Sequence, residues 1–222
     1  MARHHEPVTI DKIRATHKAR GAEIRARLRE FDDLWKTASD EQLWEELVFC
    51  IFTAGASARM GFTAVAAVRP LLASGRPQQM TRALVKARAH RYPASRPAYI
   101  AVTRDYLQRH FGMRLRERLT SFANHTERRD WLAQEREIKG LGYKESSHFL
   151  RNIGFKDYGI LDKHVLRCLS EVGVIESPKP PTTRRRYLES ETAMRDFARS
   201  VRINFDELDL VLWSMKTGEI LK

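Results

Sequence analysis

The chain has 222 residues and a mass of 25.8 kDa, enough for one large domain or two small ones with a sizeable core. Its 40 lysines and arginines against 28 acidic residues give a net charge of +12, which favours a polyanionic partner. A hydrophobic content of 42% excludes a disordered basic tail as the whole protein, and only two cysteines argue against a disulfide scaffold or a four-cysteine metal site.

The predicted elements are almost all helices. Apolar positions from Ile10 to Leu34 predict an amphipathic N-terminal helix. Ser39, followed three residues later by Gln42, predicts a capping box before the apolar stretch 43–52. The longest apolar run, 47–52, is far too short to span a bilayer. Further helices are predicted over 57–72, 96–110, 126–138, 144–153, from 162 onward, 188–200 and 205–216, with a stiff proline-rich connector at 178–181. The fold class is therefore all-α.

The stretch from Ile138 to Arg151 places two glycines, Gly140 and Gly142, between two predicted helices. This spacing permits a tight turn and a close backbone approach. The second helix then begins with unpaired N–H groups and the positive end of its dipole, which suit a phosphate. The pattern predicts a helix–hairpin–helix that grips the DNA backbone at Gly140, Gly142 and Lys139. The alternative is a plain αα-corner.

Lys144 lies two residues after the second glycine, in the first turn of the next helix. The helix dipole disfavours a cation there. This field, together with partial burial, favours the neutral amine, which is a nucleophile. The simpler interpretation is a phosphate-binding lysine in a basic protein.

Asp162 follows eighteen residues later, in the segment 160–165. On its own it is a natural N-cap for the helix that it precedes. A carboxylate in a DNA-binding cleft repels phosphates, and this cost favours a chemical task in addition to the cap.

These residues resemble the helix–hairpin–helix superfamily of base-excision DNA glycosylases, and most closely its 8-oxoguanine DNA glycosylase/lyases of the second type, typical of archaea and some bacteria. Residues 46–58, 139–152 with 160–164, and 208–222 carry the resemblance. It implies a two-lobed helical fold with the active-site cleft between the lobes. The expected lobes are residues 35–125 and residues 1–34 plus 126–222, with the hairpin at 131–153.

The resemblance also implies a mechanism. The damaged nucleotide is flipped out of the duplex. Lys144, as the neutral amine, attacks the sugar C1′ and displaces 8-oxoguanine, while Asp162 orients or deprotonates Lys144 and stabilises positive charge on the sugar. A Schiff base forms, and β-elimination cuts the strand 3′ to the lesion, which makes the enzyme a bifunctional DNA glycosylase/AP lyase.

The base pocket follows from the resemblance as well. Trp213 is expected to stack on the flipped base, the terminal Lys222 to reach it, Tyr92 to be a second stacking partner, and Asp209 to accept a hydrogen bond. Without the resemblance, Trp213 is interpreted as a core residue, Lys222 as a frayed end and Asp209 as a solvated helix residue.

Gly55 departs from the superfamily, which usually has Asn or Gln at this position to fill the gap left by the flipped base. Ser57 and Arg59 are candidates to replace that side chain. Because Gly55 has no side chain, the sequence does not show which residue fills the gap or how strongly the enzyme recognises the base opposite the lesion.

The expected partner is double-stranded DNA containing oxidised guanine, bound by a monomer in the cytoplasm at the nucleoid. We expect no required cofactor and no metal site, with a monovalent cation at the hairpin carbonyls of residues 139–144, as in the family. Three alternatives stay open: the same fold acting on another damaged base, a non-catalytic helix–hairpin–helix DNA-binding protein, and a basic RNA- or ribosome-associated helical protein. The pairing of Lys144 with Asp162 disfavours the two non-catalytic alternatives.

Overall fold

The computed structural model describes residues 7–221. This part of the chain contains eleven α-helices, a 3₁₀ turn at Arg69–Leu71 and no β-strand, which confirms the all-α class. No helix within it has the length and apolar character needed to cross a membrane. The helices are α1 (Ile10–Thr37), α2 (Asp40–Thr53), α3 (Ala58–Val68), α4 (Pro77–Lys86), α5 (Ser95–Phe111), α6 (Leu115–Thr120), α7 (His125–Gln134), α8 (Tyr143–Asn152), α9 (Lys163–Glu171), α10 (Arg184–Val201) and α11 (Phe205–Thr217).

Two helix N-termini that were predicted from a capping residue are confirmed. Ser39 Oγ accepts the N–H of Gln42 at 3.3 Å, and the Gln42 side chain accepts the N–H of Ser39 at 2.9 Å, so both halves of the capping box before α2 form. Asp162 caps α9. These short-range signals are reliable because the partners lie within one turn of each other.

Two helices were missing from the sequence-based prediction, α4 and α6. Pro77 occupies the first position of α4, where its missing N–H costs nothing. Helix α6 has only six residues and no side-chain cap. Helix α7 ends at Gln134 instead of 138 because the chain turns over the next four residues.

The described chain divides into two compact units. The hairpin unit comprises residues 31–155, and the terminal unit comprises residues 7–30 with 156–221. This grouping places 126–155 with 31–125, whereas the expected lobes placed 126–222 with the N-terminal segment. The lobe boundaries stay a prediction.

Helix α2 is the centre of the hairpin unit. Its residues 46–53 are all buried, as are Leu43 and Trp44, so that the helix has almost no exposed face. It packs against α3, α5, α6 and α8. A helix that is apolar on all sides has to be surrounded by other elements, and α2 thereby fixes the helix α8 that follows the hairpin.

The terminal unit is built around α9 and α11, which pack against each other, with α10 against α11. Its core contains Val165, Leu169, Met194, Leu208 and Leu212, each at most 1% exposed. The Cys168 thiol donates to the carbonyl of Leu212 at 3.5 Å and so links the two central helices. Burial raises the pKa of this thiol to about 12, in keeping with a buried structural cysteine.

Candidate active site

The hairpin turn is shaped by Gly140. Its φ of +80° lies in the left-handed region, and a Cβ there would come within 2.9 Å of Tyr99 Cδ2 and 3.2 Å of Ile51 Cγ2. Both the backbone conformation and the close packing therefore require glycine. Gly142 has a φ of −101° and is the N-cap of α8. The turn is held against the hairpin unit by the N–H of Lys139, which donates to Thr103 Oγ1 at 2.9 Å.

Two groups of the turn that were expected to bind a DNA phosphate are the Gly142 N–H and the Lys139 side chain. Gly142 N–H, which we expected to bind a phosphate, donates to Glu145 Oε2 at 3.2 Å. The Lys139 side chain belongs to an exposed residue. In the free protein a carboxylate thus lies at the start of α8, where the helix dipole favours an anion.

Lys144 is the second residue of α8, as its spacing predicted, and its side chain is 26% exposed. Its Nζ lies 3.0 Å from Glu145 Oε1. Sequence reasoning missed Glu145, although an acidic residue three positions after an N-cap is the signature of a capping box. Only the neutral amine of a lysine is a nucleophile, and Glu145 is a carboxylate in contact with the Lys144 amine.

Buried polar side chains of α7 and α2 hold helix α8 in place. Arg129 of α7 is fully buried and donates to Ser147 Oγ at 3.2 Å. Asn152 at the end of α8 donates to Glu46 Oε1 of α2 at 2.7 Å. Buried hydrogen bonds to charged groups are costly to break, so the middle and the C-terminal end of the helix that carries Lys144 are held in place.

Tyr92 lies beside Gly55. It is 44% exposed, and its ring would be 3.9 Å from a Cβ at Gly55, which itself has a φ of +75°. The guanidinium of Arg96 lies 5.6 Å from the ring centre, donates to the carbonyl of Ala54 at 2.6 Å and borders the Gly140 turn. One arginine therefore connects the loop after α2, Tyr92 and the hairpin turn.

The two candidates to replace the side chain missing at Gly55 lie at the start of α3. Ser57 is the N-cap, and its Oγ accepts the N–H of Met60 at 3.2 Å. Arg59 is exposed in the first turn. The expectation that either one fills the gap in the duplex stays a prediction.

Asp162 lies in the terminal unit, half-buried at the start of α9. Its Oδ1 accepts the N–H groups of His164 and Val165, both at 2.8 Å. The preceding backbone is held by α10, because Tyr187 donates its hydroxyl to the carbonyl of Gly159 at 2.7 Å and Glu191 accepts the Gly159 N–H at 2.8 Å. Sequence reasoning missed these two supporting residues, since they are distant in the chain and show no local pattern.

His164 follows Asp162 and is affected by its charge. Burial lowers the pKa of His164, and Lys163 and Lys216 lower it further, against the opposing effect of Asp162. We therefore expect a neutral imidazole at pH 7 beside the Asp162 carboxylate.

Two of the remaining expected pocket residues, Asp209 and Trp213, lie on α11. Asp209 is 5% exposed and its Oδ1 accepts the N–H of Leu210 at 2.8 Å, so it is not the solvated residue of the alternative interpretation. Trp213 is half-buried one turn further on, on the same face of the helix. Lys222 lies outside the described residues. Within residues 7–221, no three or more His, Cys, Asp or Glu side chains are grouped as a metal site would need.

Comparison with known proteins identifies the family. Residues 24–203 match the Ogg-HhH family, described as 8-oxoguanine DNA glycosylase. The chain belongs to this family. The resemblance inferred from the hairpin, Lys144 and Asp162 is thereby confirmed.

Family members of known sequence or structure cover nearly the whole chain. An 8-oxoguanine DNA glycosylase/AP lyase of Korarchaeum cryptofilum is 36% identical over 96% of this chain and 98% of its own length. The crystal structure of the Methanocaldococcus jannaschii 8-oxoguanine glycosylase/lyase, in complex with a 15mer DNA containing 8-oxoguanine, superposes with a TM-score of 0.86 at 34% identity, covering 96% of this chain and 99% of that one. The Thermotoga maritima 8-oxoguanine DNA glycosylase gives a TM-score of 0.85 at 30% identity, with coverages of 96% and 98%.

Proposed function

We propose that this chain is a base-excision repair enzyme that removes 8-oxoguanine from DNA and cleaves the strand at the resulting abasic site. The observation that carries the proposal is a lysine, Lys144, in the first turn of the hairpin helix of a chain that belongs to the 8-oxoguanine DNA glycosylase family. A protein that only binds DNA needs phosphate contacts but no such nucleophile.

The reaction begins when the damaged nucleotide is rotated out of the duplex, at a cost of a few kcal/mol. The neutral amine of Lys144 attacks the sugar C1′, the N-glycosidic bond breaks, and its electron pair leaves with the base, which is protonated. The sugar ring opens to give a Schiff base with Lys144. Loss of a proton from C2′ then expels the 3′ phosphate by β-elimination, and water releases the lysine.

Asp162 supplies the negative charge for this chemistry. Its Oδ1 is occupied by two backbone N–H groups of α9. These donors fix the direction of the carboxylate, as an acceptor for the Lys144 proton or a counter-charge for the developing sugar cation requires. Glu145, 3.0 Å from the Lys144 amine, is the first proton acceptor available in the free protein.

The base is read by residues of α11 and the C-terminus. Trp213 offers a half-buried aromatic face, and Asp209 a buried carboxylate one turn away. Lys222 reaches the flipped base, and Tyr92, which is exposed beside Gly55, is a second stacking partner. These four roles come from the family resemblance.

The hairpin holds the DNA backbone with Lys139, Gly140 and Gly142, and the Gly142 N–H exchanges the Glu145 carboxylate for a phosphate when DNA binds. No residue within 7–221 donates a hydrogen bond to the carbonyls of residues 139–141. Free carbonyl oxygens fit the monovalent cation expected here, whose charge would offset that of a nearby phosphate. No other cofactor is required. The partner is duplex DNA containing oxidised guanine, bound by a monomer in the cytoplasm at the nucleoid.

A single-turnover assay tests the proposal. The protein is mixed with a duplex containing one 8-oxoguanine or with the unmodified duplex, and the released base and the cleaved strand are both measured. We expect both products from the damaged duplex only. Release of another damaged base from matched duplexes, with 8-oxoguanine left in place, would replace the substrate, and binding without any product would leave only a DNA-binding protein.

A further inference from the structure

Three segments of the terminal unit meet at the carboxylate of Glu171, the last residue of α9. Its Oε2 accepts the ammonium of Lys216 at 2.7 Å and the N–H of Val8 at 2.9 Å, while its Oε1 accepts Arg167 Nε at 2.9 Å. The Lys216 side chain is only 2% exposed and that of Glu171 19%. The contacts join α9, the last turn of α11 and the N-terminal segment.

This pair differs from an ordinary surface ion pair. Placing a lysine in a site that is 2% exposed is costly unless its partner is well fixed. Burial alone would raise the pKa of Glu171, but hydrogen bonds from Lys216, Val8 and Arg167 outweigh it and lower this pKa to about 2. The carboxylate is therefore charged throughout the pH range in which DNA repair proceeds.

The pair lies between the two helices that carry the proposed terminal-unit site residues. Asp162 caps the opposite end of α9, and Trp213 precedes Lys216 by three residues on α11. After Lys216 the helix ends at Thr217, with Gly218 as its C-cap. The carbonyl of Gly218 accepts Arg20 Nη1 at 3.2 Å, and Thr217 Oγ1 accepts the N–H of Glu219 at 3.2 Å. The last turn of α11 is thus held by Glu171 of α9, and the tail that follows it is held by Arg20 of α1 and by Thr217.

We propose that the Glu171–Lys216 ion pair is a positioning element for base recognition. It fixes the last turn of α11 and residues 218–221 against α9, and so sets Trp213 and the C-terminus for contact with the flipped base. This inference rests on the proposed function. Asp162 stays in place without the pair, because its own backbone contacts and Tyr187 hold it.

The inference predicts a selective defect. An abasic site has no base to be recognised, so the lyase reaction needs Lys144 and Asp162 but not the α11 pocket. In Lys216→Met, which keeps the apolar stem, single-turnover excision of 8-oxoguanine should fall about 10- to 100-fold through misplacement of the pocket. Cleavage of a duplex with a preformed abasic site should be unchanged. Glu171→Gln should show the same selectivity.

Arg199→Met is the matched control, since it removes one positive charge from an exposed ion pair with Asp196 in the same unit. It should leave both reactions unchanged. An equal loss of both reactions in Lys216→Met, or no loss of either, would overturn the proposal. So would the same selective loss in Arg199→Met.

Hydrogen exchange of the free protein separates this inference from the proposed function. Backbone amides of residues 213–221 should exchange faster in Lys216→Met and Glu171→Gln than in Arg199→Met, whether or not the protein is active. Unchanged exchange would refute the positioning element. A wild-type protein that processes neither substrate would refute the proposed function. The exchange rates would then show by themselves whether the Glu171–Lys216 ion pair fixes residues 213–221.

Discussion

In the proposed mechanism, Lys144 and Asp162 each combine a chemical role with a structural contact. The Lys144 amine is paired with Glu145 at 3.0 Å, and Asp162 caps α9 with two hydrogen bonds. Such pairing fixes the direction of each group before DNA arrives, which lowers the cost of organising the site during the reaction. It also means that mutations have to be chosen to separate the two roles.

Asp162→Asn separates capping from chemistry. Asparagine is as good an N-cap as aspartate, so α9 and the free energy of unfolding should be nearly unchanged. Without the negative charge, single-turnover base release should slow by about 10²- to 10⁴-fold. Asp196→Asn, which alters an exposed carboxylate of the same unit, is the control. A normal rate in Asp162→Asn would reduce Asp162 to a cap.

For individual residues, the sequence predicted that Lys144 and Asp162 lie at the start of a helix, because each position follows from a local helix-start signal. It did not predict Arg96, Tyr187 or Glu191, whose contacts join segments at least 26 residues apart. No spacing rule announces such contacts, since they depend on how the helices pack. Glu145 was within reach of a local rule and was overlooked.

Among the structural elements, the hairpin turn depends most sharply on a single residue. The turn requires a positive φ at Gly140, and a Cβ there would collide with Tyr99 and Ile51. Gly112 also has a positive φ, but a Cβ there would meet no atom within 4 Å, which makes it the matched control.

Gly140→Ala should therefore destabilise the protein more than Gly112→Ala. The positive φ costs about 1–2 kcal/mol in either variant, and the forced contacts at Gly140 add about 1–3 kcal/mol. Urea unfolding measures the difference. Equal destabilisation of the two variants would mean that the turn does not pack as closely as described here.

The contact between α9 and α11 predicts a pH dependence of stability. The pKa of Glu171 is lowered from 4.5 to about 2 in the folded chain. Its stabilising effect is thus fully present above pH 4.5 and is lost as the pH falls towards 2. Glu171→Gln should lower the free energy of unfolding at pH 7 by on the order of 2 kcal/mol.

Urea titrations at several pH values check this expectation. The gap between wild type and Glu171→Gln should narrow below pH 4.5 and close near pH 2, because the wild-type carboxyl is then protonated as well. A gap that is constant from pH 7 to pH 3 would contradict the assignment of the charge to this ion pair.

Most helices were predictable from periodicity and caps, but α4 and α6 were not. Proline serves equally as the end of one helix and the first residue of the next, and Pro77 does the latter. Helix α6 is too short for a periodic pattern, and it is held by Arg116, which donates to the carbonyls of Trp35 and Ala38. Tertiary contacts define such an element.

For the whole molecule, charge was the most informative property of the sequence. A net charge of +12 predicted a polyanionic partner before any motif was considered, and family membership agrees with a DNA substrate. The division into compact units was not predictable in the same way. Residues 126–155 group with 31–125 because α8 packs on the buried helix α2, and no composition change marks this boundary.

Salt dependence follows from this charge. Binding that neutralises several phosphates releases counterions, so affinity for a duplex should fall about 10³-fold or more between 50 and 200 mM salt if six or more phosphates are contacted. Fluorescence anisotropy with a labelled duplex gives the slope. A flat response would argue against DNA as the substrate.

The proposed mechanism requires that Lys144 forms a Schiff base with the sugar of a damaged nucleotide. Borohydride reduction during the reaction converts that intermediate into a stable protein–DNA adduct. We expect an adduct with the wild type on a duplex containing 8-oxoguanine, none on the unmodified duplex, and none with Lys144→Gln, which should still bind DNA. An adduct of equal yield with Lys144→Gln, or none with the wild type under conditions where it binds the damaged duplex, would contradict the account.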